Sequence, residues 1–245
     1  MDEVPNPYPY KYKTGQILGQ YFGLICDGFY NTWEEVNDPN RPVSSWNNNK
    51  IQPGDLKYRD VNGDGIIDSN DMVPIGYSNF PEVTYGFSLG GDWKGFDFSV
   101  LFQGATHVSL EYSRLYTRGF GENFAAPKAL LSSWSQERYE AGLPIEYPHL
   151  SVGDEVQKHN YQSSTFWTRD ASYLRLKNIE VGYTFDTRKL KLAGLSSARF
   201  FVNGNNIYTW SHMLKGVDPE AAQQAINYDS YPITKTFNVG LNLTF

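Results

Sequence analysis

Between residues 60 and 71 the chain reads Asp-Val-Asn-Gly-Asp-Gly-Ile-Ile-Asp-Ser-Asn-Asp, the densest arrangement of potential ligand groups in the sequence. Counting Asp60 as the first position, side-chain oxygens fall at positions 1, 3, 5, 9 and 12, on Asp60, Asn62, Asp64, Asp68 and Asp71. Gly65 at the sixth position permits a sharp bend, and the carbonyl of Ile66 follows at the seventh. Calcium is a hard cation that takes about six to eight oxygens, and this spacing wraps oxygens around one point. The expected cofactor is calcium in a structural role, fixing a long loop, with Asp60, Asn62, Asp64, Ile66, Asp68 and Asp71 as its ligands. The competing reading is a solvated turn rich in Asx and Gly that binds nothing.

Asp71 stands where an EF-hand has Glu, which shortens the reach and weighs against bidentate ligation. Pro53, Gly54 and Asp55 precede the loop and Val73, Pro74, Ile75 and Gly76 follow it, so no amphipathic helix flanks it; it resembles a dockerin-like loop more closely. Catalytic patterns are missing. His107, His149, His159 and His212 are scattered, with no HExxH, no paired Cys ligands, no GxSxG elbow and no phosphate-cradling glycine loop. Each histidine therefore reads as a loop or barrel residue, and the chain as a non-enzyme.

The elements that must position this loop read as strands. Residues 236–245 alternate polar and apolar without error, so that Phe237, Val239, Leu241 and Leu243 share one face. Val83, Tyr85, Phe87 and Leu89 form a similar face, and Phe96, Phe98, Val100 and Phe102 continue it after a turn-forming stretch at 90–95, predicting a β-hairpin. Ile179, Val181, Tyr183 and Phe185 repeat the pattern, and Phe200 with Val202 does so less regularly. The opposite faces carry Asp97, Gln103, Glu180, Arg199, Asn203 and Asn242. Trp93, Tyr183, Tyr208 and Trp210 fall near strand ends, where an interfacial aromatic belt lies. Short connections at 90–95 and 186–197 alternate with long ones at 105–171 and 211–232, the loop asymmetry of an outer-membrane barrel. The expected fold is all-β: a segment of an antiparallel transmembrane β-barrel, a partial barrel with long external loops. A soluble β-sandwich with its apolar face on a protein core is the alternative that periodicity cannot separate.

Composition narrows the field. No run of 18 or more apolar residues is present and mean hydropathy is -0.51, which excludes a transmembrane helix but not a barrel. A net charge of -6, with no stripe of Lys and Arg, argues against a nucleic-acid partner. The single cysteine, Cys26, cannot form an intramolecular disulfide and is expected to pack in the strand-like run Tyr21 to Tyr30. In the middle loop, residues 127–139 suit a short helix, with Pro127 in its first turn and Gly142 and Pro144 ending it. The first residues lack a basic and apolar signal stretch, and about six or seven strand-like segments are fewer than the roughly eight a closed barrel needs. The expectation is a piece of a longer exported protein, unstable alone in lipid.

The run PGDLKYRDVNGDGIIDSNDMVPIG (Pro53 to Gly76) and the hairpin PEVTYGFSLGGDWKGFDFSVLFQG (Pro81 to Gly104) closely resemble the carboxy-terminal part of SusC/RagA-type TonB-dependent outer-membrane transporters. So do ASYLRLKNIEVGYTF (Ala171 to Phe185), ARFFVNGNNIYTW (Ala198 to Trp210), KGVDPE (Lys215 to Glu220) and YPITKTFNVGLNLTF (Tyr231 to Phe245). The resemblance implies a plugged barrel of about 22 strands in the bacterial outer membrane. It further implies import of glycans or peptides driven through TonB, a SusD-like lipoprotein lid, and contact with outer-membrane lipid. Residues 1–80 would hold upstream strands and the calcium-type loop, and 81–245 the last barrel strands. Two rival functions are a secreted calcium-binding β-sandwich, such as a carbohydrate-binding module, and a surface adhesin that transports nothing.

Overall fold

The computed structural model describes residues 3–46, 50–112, 128–151, 158–186, 194–213, 217–220 and 233–245. In chain order the strands are β1 (Tyr21–Gly23), β2 (Cys26–Phe29), β3 (Val43–Ser44), β4 (Leu56–Tyr58), β5 (Ile66–Ile67), β6 (Val73–Ile75), β7 (Val83–Trp93), β8 (Phe96–Thr106), β9 (Ser109–Glu111), β10 (Thr168–Asp170), β11 (Tyr173–Phe185), β12 (Ser197–Ser211) and β13 (Thr236–Thr244). Helices are short: α1 (Trp33–Val36) and α2 (Gln136–Glu140), with 3-10 turns between them and around them. The chain divides into two compact units, one drawn mainly from Met1–Asn79 and Ser109–Arg169, the other from Phe80–Val108, Asp170–Gln224 and Asp229–Phe245.

The second unit is a five-stranded antiparallel sheet in the order β13-β12-β11-β8-β7. Strand alternation and register together extend the apolar face across all five strands. Leu89 pairs with Val100 and Val100 with Ile179. Val181 pairs with Val202, and Val202 with Val239. Among the described residues none covers this face: Phe237, Val239, Leu241 and Leu243 are 70 %, 67 %, 58 % and 46 % exposed, where a sandwich core would bury them. Aromatics mark both ends. Phe96 and Tyr183 lie 4.6 Å apart at one, Tyr208 and Trp210 4.7 Å apart at the other. Phe96 and Thr106, the ends of β8, are separated by about 33 Å of strand, which at a tilt near 40° rises about 25 Å, the height of the apolar band of an outer-membrane barrel.

The hairpin turn is tighter than the glycines at 90 and 91 suggest. Gly90, Gly91 and Asp92 continue β7, pairing with Ser99, Phe98 and Asp97. The reversal falls on Lys94 and Gly95, whose φ values of 50° and 91° are those of a two-residue turn with both central residues left-handed, the geometry that suits strand twist. Connections at this end of the sheet are 94–95 and 186–196, whereas 107–172 and 212–235 leave from the other. The register shifts on both sides of β11 at one point: Lys177 is the extra residue against β8, whereas against β12 the extra residue lies on β12, where Asn206 and Ile207 face Lys177. Among the described residues β7 and β13 are open edges and no ring closes. No described helix is long and apolar enough to cross a membrane.

The first unit is made of small ladders, β1 with β6, β2 with β4 and β3 with β5. Its buried side chains include Leu24, Leu56, Ile67, Ile75 and Trp167, with Tyr30, Val36 and Ile51 in one cluster. Leu24 stitches residues 21–30 to 163–165, its N–H donating to Ser163 O at 2.8 Å and its carbonyl accepting from Thr165 N at 3.0 Å. Cys26 opens β2, and burial pushes its thiol up to about 11, so it packs uncharged. The helix expected at 127–139 is interrupted: a 3-10 turn spans Lys128–Ser132, and α2 begins only after Ser135, whose hydroxyl accepts from Arg138 N and caps it. Ser133 bridges to Tyr147 instead, which costs the intervening helical hydrogen bonds.

Candidate functional site: a polar strand face and an acidic loop

On the sheet face opposite the apolar one, Arg199 of β12 gathers the groups that alternation places there. Its Nε donates to Asp97 Oδ2 of β8 at 2.9 Å, and its Nη2 donates to Glu180 Oε1 of β11 at 2.7 Å and also to Asp97 Oδ1. Glu180 Oε2 then accepts from Asn203 at 3.1 Å, and Asn203 Oδ1 from Asn238 of β13 at 2.9 Å. The guanidinium lies flat over Gly182, where a Cβ would stand 2.4 Å from Nη2, so only glycine leaves room for it. Of the polar residues the alternation marks, Asp97, Glu180 and Asn203 are thus brought together, Asn242 pairs in register with Arg199, and Gln103 stands apart, opposite Arg175. The charge cluster holds one more anion than cation. Such a hydrogen-bonded surface is compatible with water and incompatible with hydrocarbon.

In the first unit the acidic loop folds on its own backbone. Asp60 accepts from Gly63 N at 2.7 Å and Gly65 N at 2.8 Å, one bond on each oxygen. Asp64 accepts from Ile66 N at 2.8 Å and from the Asn62 amide at 3.0 Å, and Asp68 accepts from Asn70 N. Asp71 is fully buried and braces both ends: Oδ1 accepts from Val61 N at 2.8 Å and Oδ2 from Asp68 N at 2.9 Å. The carbonyls of Gly65 and Ile67 accept from Val43 N and Ser45 N, which directs that of Ile66, between them, the other way. Tyr10 and Lys11 clamp the loop from outside through Asn70 O and Ser69 O, both at 2.8 Å. A carboxylate oxygen has two lone pairs, so Asp60, Asp64 and Asp68 keep acceptor capacity for a cation while Asp71 has little left. Among the described residues no group of three or more His, Cys, Asp or Glu side chains converges as a ready-made metal cage.

Two histidines belong to a buried network that sequence spacing did not reveal. Asp55 accepts from His149 Nδ1 at 2.8 Å, from the Asn160 amide at 2.7 Å and from Gln52 N at 2.9 Å. Asn160 Oδ1 accepts from Leu56 N, and Trp167 Nε1 donates to Asn160 O at 2.6 Å. The Gln52 amide meets His149 Nε2, so that nitrogen is covered and the Asp–His pair has no nucleophile to serve. His159 Nε2 donates to Leu56 O at 2.7 Å, which fixes the tautomer, and Nδ1 faces Ser44 Oγ at 2.8 Å. Burial holds this imidazole below its usual range. At neutral pH His159 is uncharged in the folded chain and mostly uncharged in the unfolded one. As pH falls below about 6.5, the unfolded chain takes the proton first and stability drops by about 1.4 kcal/mol for each unit over which the folded state resists. Acidification to pH 5 should therefore lower the hydrogen-exchange protection of residues 55–60 and 158–168, and His159→Gln should remove that part of the pH dependence. Equal acid sensitivity in the variant would assign the effect to another group.

No family model matches the chain. It is 30 % identical over 256 residues to TonB-dependent receptor P26 of Formosa agariphila, a match covering 100 % of this chain and 24 % of that protein. It is 27 % identical over 245 residues to TonB-dependent receptor SusC of Bacteroides thetaiotaomicron, covering 94 % of this chain and 20 % of that one. The structure of the RagAB peptide importer in the 'open-open' state superposes with a TM-score of 0.60 at 21 % identity, over 92 % of this chain and 22 % of that chain. The chain thus spans about a quarter or less of the length of these relatives. Whole-chain sequence matches, together with an exposed apolar face backed by a polar one, place the protein with the SusC/RagA-type TonB-dependent receptors.

Proposed function

We propose that this chain forms part of the wall, and of the external loop structure, of an outer-membrane nutrient importer. The supporting observation is the five-strand sheet whose apolar side is uncovered and whose other side carries the Asp97–Arg199–Glu180 cluster. Hydrocarbon meets the first face and a water-filled lumen the second. Energy reaches such an importer through TonB, and a SusD-like lipoprotein covers its outer mouth. The substrate is a glycan or a peptide, the latter being what the structural relative's name specifies for that protein. The chain's own part is to line the path and carry loops. A secreted β-sandwich is disfavoured because its core would have to enclose Phe237 and Val239. Disruption of the gene should abolish uptake of one glycan or peptide class while leaving growth on free monosaccharides and amino acids intact. Normal growth of the mutant on every such polymer would favour the adhesin reading.

We further propose that the loop at 60–71 takes one calcium ion through Asp60, Asn62, Asp64, the Ile66 carbonyl and Asp68. Asp71 would contribute at most a single oxygen, because its backbone bonds occupy most of its lone pairs. The ion would stiffen the loop and take no part in transport chemistry. Asp60→Ala combined with Asp64→Ala should remove stoichiometric calcium binding in calorimetry, and an unchanged isotherm would exclude these ligands.

A further inference from the structure

The polar face holds a second ionic site, formed where residues Val217–Glu220 meet β11 and β12. Arg175 is 2 % exposed. Its Nε donates to Thr209 Oγ1 at 2.9 Å and its Nη2 to Asp218 Oδ1 at 2.7 Å, while Nη1 lies 3.1 Å from Glu220 Oε1. The same Glu220 oxygen accepts from the Tyr173 hydroxyl at 2.9 Å and has Lys177 Nζ at 3.9 Å. Three donors thus compete for one oxygen with two lone pairs, and Arg175 Nη1 is left buried without a well-aligned hydrogen bond. Lys177, two residues along β11, sets this additional cation on the same face as Arg175 by strand alternation. Two cations and a phenol here are pre-arranged for carboxylates and are filled by carboxylates of the chain itself, over the short span Asp218-Pro219-Glu220.

We propose that Arg175, Lys177 and Tyr173 constitute a carboxylate-binding site on the lumen wall that Asp218 and Glu220 occupy as an internal competitor, so that an acidic ligand binds there only by displacing them. The proposal rests on the polar face being the lumen wall. Physically, the docked segment is held by charge-assisted bonds yet leaves one guanidinium nitrogen, Nη1, without a well-aligned hydrogen bond, which favours exchange for a ligand that satisfies it. A tethered competitor is present at high effective concentration, so the site should look empty of affinity until the tether's charges are removed.

The test uses the receptor extracted in detergent from outer membranes, with the acetylated and amidated tripeptide Asp-Pro-Glu as probe. The wild type should show weak or undetectable saturable binding in calorimetry, and the double variant Asp218→Asn with Glu220→Gln at least tenfold tighter binding. Adding Arg175→Met to the double variant should abolish the gain. No gain in the double variant, or a gain that survives Arg175→Met, would overturn the proposal. Heat-modifiable migration on gels checks that each variant retains the barrel. If the double variant fails that check, hydrogen exchange on the wild type decides: millimolar tripeptide should speed exchange at 217–220, and unchanged rates would overturn the proposal. Failure here leaves the transport reading intact, since that reading stands or falls on uptake.

Discussion

Val100→Arg should prevent the protein from accumulating in the outer membrane, while Ser99→Arg, one residue earlier, should accumulate as the parent does. Val100 sits midway along the apolar stripe of β8, between Leu89 on one neighbouring strand and Ile179 on the other. An arginine there would lie near the middle of the hydrocarbon layer, at a cost of about 2–4 kcal/mol in a barrel wall. Ser99 points to the opposite side and pairs in register with Glu180. Arginine at that position remains in water and gains a carboxylate neighbour. The measurement is the amount of heat-modifiable protein in isolated outer membranes. Equal levels for the two variants, whether both normal or both absent, would show that the two faces do not meet different solvents, and the importer assignment would fail with that result.

Asp71→Ala should release the loop at 60–71 whether or not calcium is supplied. The carboxylate is wholly buried and accepts from Val61 N, from Asp68 N and, at 3.4 Å, from Asn62 N. Alanine leaves these donors without an acceptor in a site that has room for little else, and each buried orphan costs about 1–3 kcal/mol. The summed loss, about 3 kcal/mol or more, is large against the local stability of any loop. Amide exchange across residues 61–70 should accelerate at least a hundredfold. Asp64→Ala removes an exposed carboxylate and should change exchange little in the absence of calcium. Retained protection in Asp71→Ala would mean that the clamp from Tyr10 and Lys11 suffices to hold the loop.

Glycine and the apolar period were both informative about the strands, but unequally. The residues Gly90-Gly91-Asp92 look like a turn by composition, yet they lie within the β7–β8 ladder because the tight reversal at Lys94 and Gly95 leaves them paired. The 127–139 stretch shows the converse. Its apolar spacing suits one helix, but the pairing of Ser133 with Tyr147, a tertiary contact, divides it. The ligand spacing of the loop was legible as a list of oxygens. That Asp71 spends its oxygens on backbone N–H groups was not, since hydrogen-bond partners within a folded loop leave no mark on residue spacing.

What the residues determined alone was which side of each strand is apolar, because successive side chains alternate by geometry and no neighbour is needed to know it. That made the one-sided apolar sheet and the alternation of short and long connections readable in advance. Which strands adjoin, and in what register, was decided only by the tertiary structure. Arg199 meets Asp97 across 102 positions and Glu180 across 19, and His159 meets Ser44 across 115. Arg175 finds Asp218 across 43. Contacts of that separation depend on backbone pairing over the whole sheet and on the packing of distant loops. A one-dimensional pattern, whose reach is a few residues, carries no trace of them.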